Sequence, residues 1–208
     1  MKQISIIDSG LSNIYNVCQA FKYIGMNINV VNDTDDKIND HLVLPGVGSF
    51  NNGMSQLSLK KLIIPIKNHI SAGKPFLGIC LGMQMMFEKS YEFGEHTGLG
   101  VIKGDIQKIP NIGKDHTKHK IPHIGWNKNI LKNHNSNLLK NIADGTATYF
   151  VHSYMANIEN PSDAIAVCDY NGINIISIVQ HNNSFGCQFH PEKSGENGLK
   201  LLTNFSNL

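Results

Sequence analysis

The chain has 208 residues, 41% of them hydrophobic and 16% charged, a balance that suits a folded protein with a sizeable core and excludes a disordered one. Lys and Arg number 18 against 16 Asp and Glu, for a net charge of +2, so there is no electrostatic argument for nucleic acid or an anionic membrane as partner. No apolar run approaches the roughly 20 residues that span a bilayer, and the four cysteines, Cys18, Cys80, Cys168 and Cys187, are too dispersed for a metal knuckle and too few for a disulfide scaffold.

In chain order, "QISIID" (Gln3–Asp8) reads as a buried strand and not as a signal peptide. Ile14, Val17, Phe21 and Ile24 recur at helical spacing, with Gly25 as the stop. "NINVV" and "HLVLPG" read as a second and third strand, and a helix is expected over Met54–Ile70, ended by Gly73. "PFLGI" is a fourth strand, leading into a bend at Cys80 and a short helix through Glu88. Strands separated by helices imply an open, mostly parallel sheet with helices on both faces, an α/β fold.

The second half changes character. "TYFVHSY", "AIAVCDY", "NIISIVQ" and "FGCQFH" are short strand-like runs with turn residues such as Asn171-Gly172 between them, an antiparallel extension of the parallel core. A last amphipathic helix is expected over Asn197–Phe205, and Asn111–Lys120 is the most loop-like stretch. With no repeat and no linker, the expectation is one domain over 1–208, cytosolic, with reduced thiols. Cys18, Cys168 and Cys187 read as small core residues.

Cys80 is different. It stands in Gly-Ile-Cys-Leu-Gly, at the carboxyl end of a predicted parallel strand, where reactive groups collect in open α/β sheets. A strand turning sharply into a helix lifts its corner residue out of the sheet, and flanking glycines avoid the clash a Cβ would cause. The following helix adds a dipole that favours thiolate and a backbone N–H, that of Leu81, for an oxyanion. A thiol nucleophile also needs a base and a group to orient it. "FGCQFHPEKS" offers both: His190 closes a strand, Pro191 ends its pairing, and Glu192 follows two residues later. In "LVLPGVGSF" a buried strand ends in Pro-Gly-Val-Gly, so Val47 and Gly48 can bring backbone close to a substrate and supply a second oxyanion donor. Read singly, each motif also fits an ordinary tight turn or a strand-end histidine.

Together, "LPGVGSF", "GICLGMQ" and "FHPEKS" resemble the class I glutamine amidotransferases. "IIDSGLSNI", "IPHIGWN" (Ile121–Asn127), "YFVHSY" (Tyr149–Tyr154) and "GLKLLTNF" extend the likeness over the whole chain, toward the glutaminase subunits that serve imidazole glycerol phosphate synthases in histidine biosynthesis. The resemblance implies Cys80 as nucleophile, His190 as base and Glu192 as its partner. It implies glutamine held near Gly48, Gln84, Glu92, Ser153 and Tyr154, with Gln84 one helical turn past Cys80 and on its face. It implies no cofactor and no metal, and a heterodimer with a (β/α)8-barrel cyclase that receives ammonia through a channel. Asn13, Trp126, Tyr149 and Lys193 match positions near that docking face. The first loop, Asp8-Ser9-Gly10-Leu11-Ser12-Asn13, lacks the aromatic after Asp and the second glycine before Asn that the family commonly carries. Related glutaminases serve other acceptors, including enzymes that form amidino groups on cell-surface sugars, and the glutaminase motifs do not separate these.

Three other readings stay open from sequence alone. His116, His119 and His123 have the spacing of a metal site, against a solvated basic loop. The same thiol and imidazole could serve a cysteine peptidase or a γ-glutamyl hydrolase. A silent scaffold is the third, although a scaffold has no need of Cys80, His190 and Glu192 together.

Overall fold

The computed structural model describes residues 3–10 and 14–208. Its elements in chain order begin with β1 (Gln3–Ile7), α1 (Ile14–Tyr23), β2 (Asn27–Val31), β3 (His41–Gly46), α2 (Phe50–Leu59), α3 (Ile63–Ser71), β4 (Phe76–Cys80) and α4 (Leu81–Gln84). Next come β5 (Phe87–Ser90), β6 (His96–Thr97), β7 (Ile102–Lys108), β8 (His123–Leu131), β9 (Ala147–His152), β10 (Tyr154–Ile158), β11 (Ala164–Tyr170), β12 (Ile173–His181), β13 (Ser184–Cys187) and α5 (Gly195–Ser206).

Among the described residues, nine strands form one sheet in the order β2-β1-β3-β4-β13-β12-β11-β8-β9. From β2 to β13 every pairing is parallel; from β13 to β9 every pairing is antiparallel. β13 therefore belongs to both halves. It is parallel to β4, with Gly186 opposite Gly78 and Cys187 opposite Ile79, and antiparallel to β12.

Both faces of the parallel half are covered, which explains why β3 and β4 read as unbroken apolar runs buried at every position. On one face Ile4, Ile6, Val43, Leu77 and Ile79 pack with Val17 and Phe21 of α1 and Leu201, Leu202 and Phe205 of α5. On the other, Leu42, Leu44 and Phe76 pack with Phe50, Leu57 and Ile66 of α2 and α3, and with Phe87, Ile102, Ile106 and Ala156 of a smaller sheet. The period-two alternation of Leu42, Val43 and Leu44 between the two layers is the strand geometry made visible.

Several expectations need correction. The helix over Met54–Ile70 is two helices, α2 and α3, broken at Lys60–Leu62, where Lys61 sits at φ 58°; a lysine in left-handed backbone is a turn, not a helix interior. The helix after Cys80 does not reach Glu88. It closes after one turn, and Phe87–Ser90 pair instead as β5 with β7 and β6 in the smaller sheet, ordered β10-β7-β5-β6. "TYFVHSY" is two strands, not one: β9 lies in the large sheet and β10 in the small one, with the chain passing between them at Ser153. The amphipathic pattern of α5 and the loop character of residues 111–120 hold, the loop carrying one isolated bridge between Ile112 and Lys118.

Candidate active site

Cys80 is the last residue of β4 and has φ 54° and ψ −109°, outside the backbone regions an L-residue prefers. Two glycines permit this turn. A Cβ on Gly82 would lie 1.7 Å from the Leu44 carbonyl oxygen, and one on Gly78 would lie 2.7 Å from the Gly82 backbone. The chain therefore doubles back against β3 only because neither residue has a side chain. The following α4 is a single turn of four residues, so its macrodipole is small, and any stabilisation of charge at the sulfur must come from nearer groups.

Those groups arrive from β13. Its parallel register with β4 brings the segment after Cys187 alongside the Cys80 turn. His190 is 3% exposed, and its Nδ1 lies 2.8 Å from Glu192 Oε1. A carboxylate only accepts, so Nδ1 carries the proton and Nε2 is turned to the other side; Nε2 has no conventional hydrogen-bond partner. Burial pulls the imidazole down, but the Cys80 sulfur and the Glu192 carboxylate together push it up to about 10. A sulfur on one side and a carboxylate on the other thus favour the charged imidazolium. The segment is clamped to β9: His190 N–H donates to the Tyr149 carbonyl at 2.9 Å, and Ser194 Oγ donates to the His190 carbonyl at 2.6 Å while accepting from Tyr149 N–H at 3.0 Å.

Cys80 and His190 open onto a cavity of about 330 Å³. Val47, Gly48 and Leu81, the expected oxyanion residues, line it, as do Gln84, Glu92, Ser153 and Tyr154, the expected glutamine contacts. Gly48 has φ 95°, a conformation only glycine adopts freely. Glu92 comes from the loop after β5, and its Oε2 accepts from Phe50 N–H at 2.6 Å, so it also ties down the start of α2 just after Gly48. Gln84 is buried, and both of its amide protons are used: Nε2 donates to the Tyr154 carbonyl at 3.1 Å and to Gln188 Oε1 at 3.0 Å. Only its Oε1 remains for a ligand, a narrower role than the sequence suggested.

Pro122, Val151, His152 and Gln188 escaped the sequence reading. Pro122, Val151 and His152 complete the cavity wall, and the Cys80 thiol points at the Val151 carbonyl, 3.9 Å away. His152 Nδ1 lies 2.8 Å from the Tyr154 carbonyl and its Nε2 lies 3.0 Å from His123 Nδ1. Burial lowers His152 to about 3 and His123 to about 4, so both are neutral near pH 7. Gln188 lies two residues before His190, and the strand period of two was the available signal that both share a face.

Of the residues expected at a docking face, Trp126 is 58% exposed and stacks edge-on against half-buried Tyr149, with ring centroids 6.2 Å apart. That excludes core packing for the indole. Lys193 is exposed, and Asn13 lies outside the described residues. The three histidines form no metal-ligating cluster among the described residues: His123 is buried, bonded to His152 and stacked on Tyr170, and His119 packs at a tilt on that same ring.

A thiol on a strained turn and a carboxylate-bound imidazole at the wall of one small cavity are the parts that nucleophilic catalysis by a cysteine would need. The chain belongs to the class-I glutamine amidotransferase family, whose model matches residues 5–207, and it is an enzyme of that class. Within the family it is similar to imidazole glycerol phosphate synthase subunit HisH 1 of Legionella pneumophila (strain Lens), 46% identical and covering 99% of each chain. It is also similar to subunit HisH of Caldanaerobacter subterraneus, 44% identical over 99% of this chain and 98% of the relative. Among solved structures, PurLQS from Thermotoga maritima superposes with a TM-score of 0.75 at 20% identity, covering 100% of this chain and 99% of that one, a likeness of fold.

Proposed function

We propose that this chain is the glutaminase subunit of an imidazole glycerol phosphate synthase, and that Cys80, His190 and Glu192 hydrolyse glutamine to glutamate and ammonia. The observation that carries the reading is the His190 imidazole held by Glu192 at 2.8 Å with its other nitrogen left to the Cys80 side of the cavity. The Cys80 thiolate attacks the side-chain amide carbon of glutamine. The oxyanion is held by Leu81 N–H and a donor at Val47–Gly48, each such donor being worth about 3–4 kcal/mol. His190 gives a proton to the departing ammonia, leaving a glutamyl thioester, and then activates the water that releases glutamate. Gly48, Gln84 Oε1, Glu92, Ser153 and Tyr154 hold the substrate, with the Glu92 carboxylate suited to its ammonium group.

Ammonia released into water is protonated and diluted, so the reading includes a partner that receives it through a channel: a (β/α)8-barrel cyclase in a cytoplasmic heterodimer acting in histidine biosynthesis. Trp126, Tyr149 and Lys193, with Asn13, would meet it. Identity of 43% or more to several HisH subunits over nearly the full chain supports this partner over a synthase of amidino sugars.

Replacing Cys80 by Ala is expected to abolish glutamine hydrolysis while leaving the fold and partner binding intact. Retained turnover in that variant overturns the assignment. Glutamine hydrolysis that rises when a purified barrel cyclase is added supports the partner; no association with that cyclase in sedimentation overturns it.

A further inference from the structure

We propose that Gln188 is a positioning residue for the nucleophile: its side-chain amide is locked with the N–H groups toward Cys80, where it stabilises the thiolate. The proposal deepens the glutaminase reading and rests on it for its catalytic consequence.

Gln188 is fully buried. Its Nε2 lies 3.8 Å from Cys80 Sγ, and its Oε1 accepts from Gln84 Nε2 at 3.0 Å. The orientation of a glutamine amide is normally free to reverse, but here the partners decide it. The Tyr154 carbonyl can only accept, so the Gln84 atom 3.1 Å from it must be nitrogen. That same nitrogen, a donor only, then faces Gln188, so the facing Gln188 atom must be oxygen. The remaining Gln188 group, NH₂, is left to the sulfur. The main chain is held too, since Gln188 N–H donates to the Ser177 carbonyl at 2.9 Å.

A buried donor beside a sulfur lowers the free energy of the charged form more than of the neutral one. This donor does so without a proton of its own to lose. With α4 only one turn long, Gln188 supplies what the helix cannot. The titratable groups around the sulfur are His190 beyond β13, Cys187 of β13, and His152 and Glu92 in the cavity wall; Gln188, which does not titrate, offers its donor at every pH. Because Gln84 both lines the glutamine cavity and orients Gln188, a ligand on Gln84 Oε1 bears on the same relay.

The test is the rate of iodoacetamide alkylation at Cys80, resolved by mass spectrometry on the full chain from pH 5 to 10. Gln188→Met, which keeps length and loses the donor, is expected to slow Cys80 alkylation about tenfold at pH 6, the gap closing toward alkaline pH. Gln188→Glu is expected to slow it further, since a carboxylate repels a thiolate. Gln84→Met, which frees the Gln188 amide to reverse, is expected to slow it about threefold. In glutamine hydrolysis Gln188→Met should lower kcat with KM unchanged. Identical rate–pH profiles in wild type and Gln188→Met, or a change independent of pH, would overturn the proposal. Should Gln188→Met fail to fold by circular dichroism, the Gln84→Met profile decides by the same criterion. Alkylation does not require turnover, so a glutaminase reading lost to an active Cys80→Ala variant is distinguishable from failure of the Gln188 role.

Discussion

The two turns that form the site are built by opposite means. The Cys80 turn is made by local covalent geometry: a residue at φ 54°, with Gly78 and Gly82 packed so closely that neither tolerates a Cβ. The His190–Glu192 turn has ordinary backbone, His190 lying at φ −99°, and is held by hydrogen bonds to Tyr149, Ser194 and the Glu192 carboxylate. The nucleophile is thus placed by a glycine-flanked corner that closes against Leu44 of β3. The base is placed by a strand some forty residues earlier, in the antiparallel half of the sheet.

Breaking the chemistry on the base side should give the largest effect. His190→Asn keeps a polar side chain but removes the proton carrier, and should lower glutamine hydrolysis by at least about 10³-fold, measured as kcat/KM on free glutamine. On the nucleophile side the comparable loss should be structural. Gly82→Ala places a Cβ 1.7 Å from the Leu44 oxygen, and we expect a loss of about 3 kcal/mol in urea unfolding. An unchanged urea midpoint would show that the turn relaxes and that strain is not what holds Cys80.

Glu192→Gln sharpens the contrast. It keeps the shape of the base-side turn and removes the charge that steadies the imidazolium, so hydrolysis should fall about 10- to 100-fold, and the melting temperature at pH 7 should fall as well because a buried imidazolium is left without its counter-charge. The pH dependence of stability should divide in the same way, with smaller amplitude. His190 is raised to about 10 in the fold, so its contribution is full below about 6.5 and is lost as pH rises through 10. His123 and His152, lowered to about 4 and about 3, contribute above about 6.5 and lose that contribution as pH falls through those values. Urea midpoints from pH 4 to 10 should therefore fall on both sides of about 6.5, and His190→Asn should flatten the alkaline limb alone.

Much of the site was legible in the residues because strained turns and strand ends carry local signatures. Gly-Ile-Cys-Leu-Gly announces a corner that only flanking glycines permit, and His-Pro-Glu announces the end of a strand with a carboxylate nearby. Gln188 stands two residues before His190, and the strand period hints that the two share a face, but nothing local shows which way its amide points. Its function exists only in relation to Gln84, about a hundred residues earlier, and to a carbonyl of Tyr154. The division of "TYFVHSY" between two sheets was hidden for a similar reason: alternation marks a strand but does not say which neighbour it pairs with.

By itself, then, the amino-acid order determined the α/β pattern, the strained corner at Cys80 and the candidates for base and carboxylate, because backbone sterics and side-chain period act over a few residues. Tertiary structure alone decided that β13 lies parallel to β4, that the Gln188 amide faces the sulfur, and that Phe87–Ser90 join a second sheet. Those outcomes depend on register and hydrogen-bond partners distant in the chain, and such pairings are settled only when the whole fold closes.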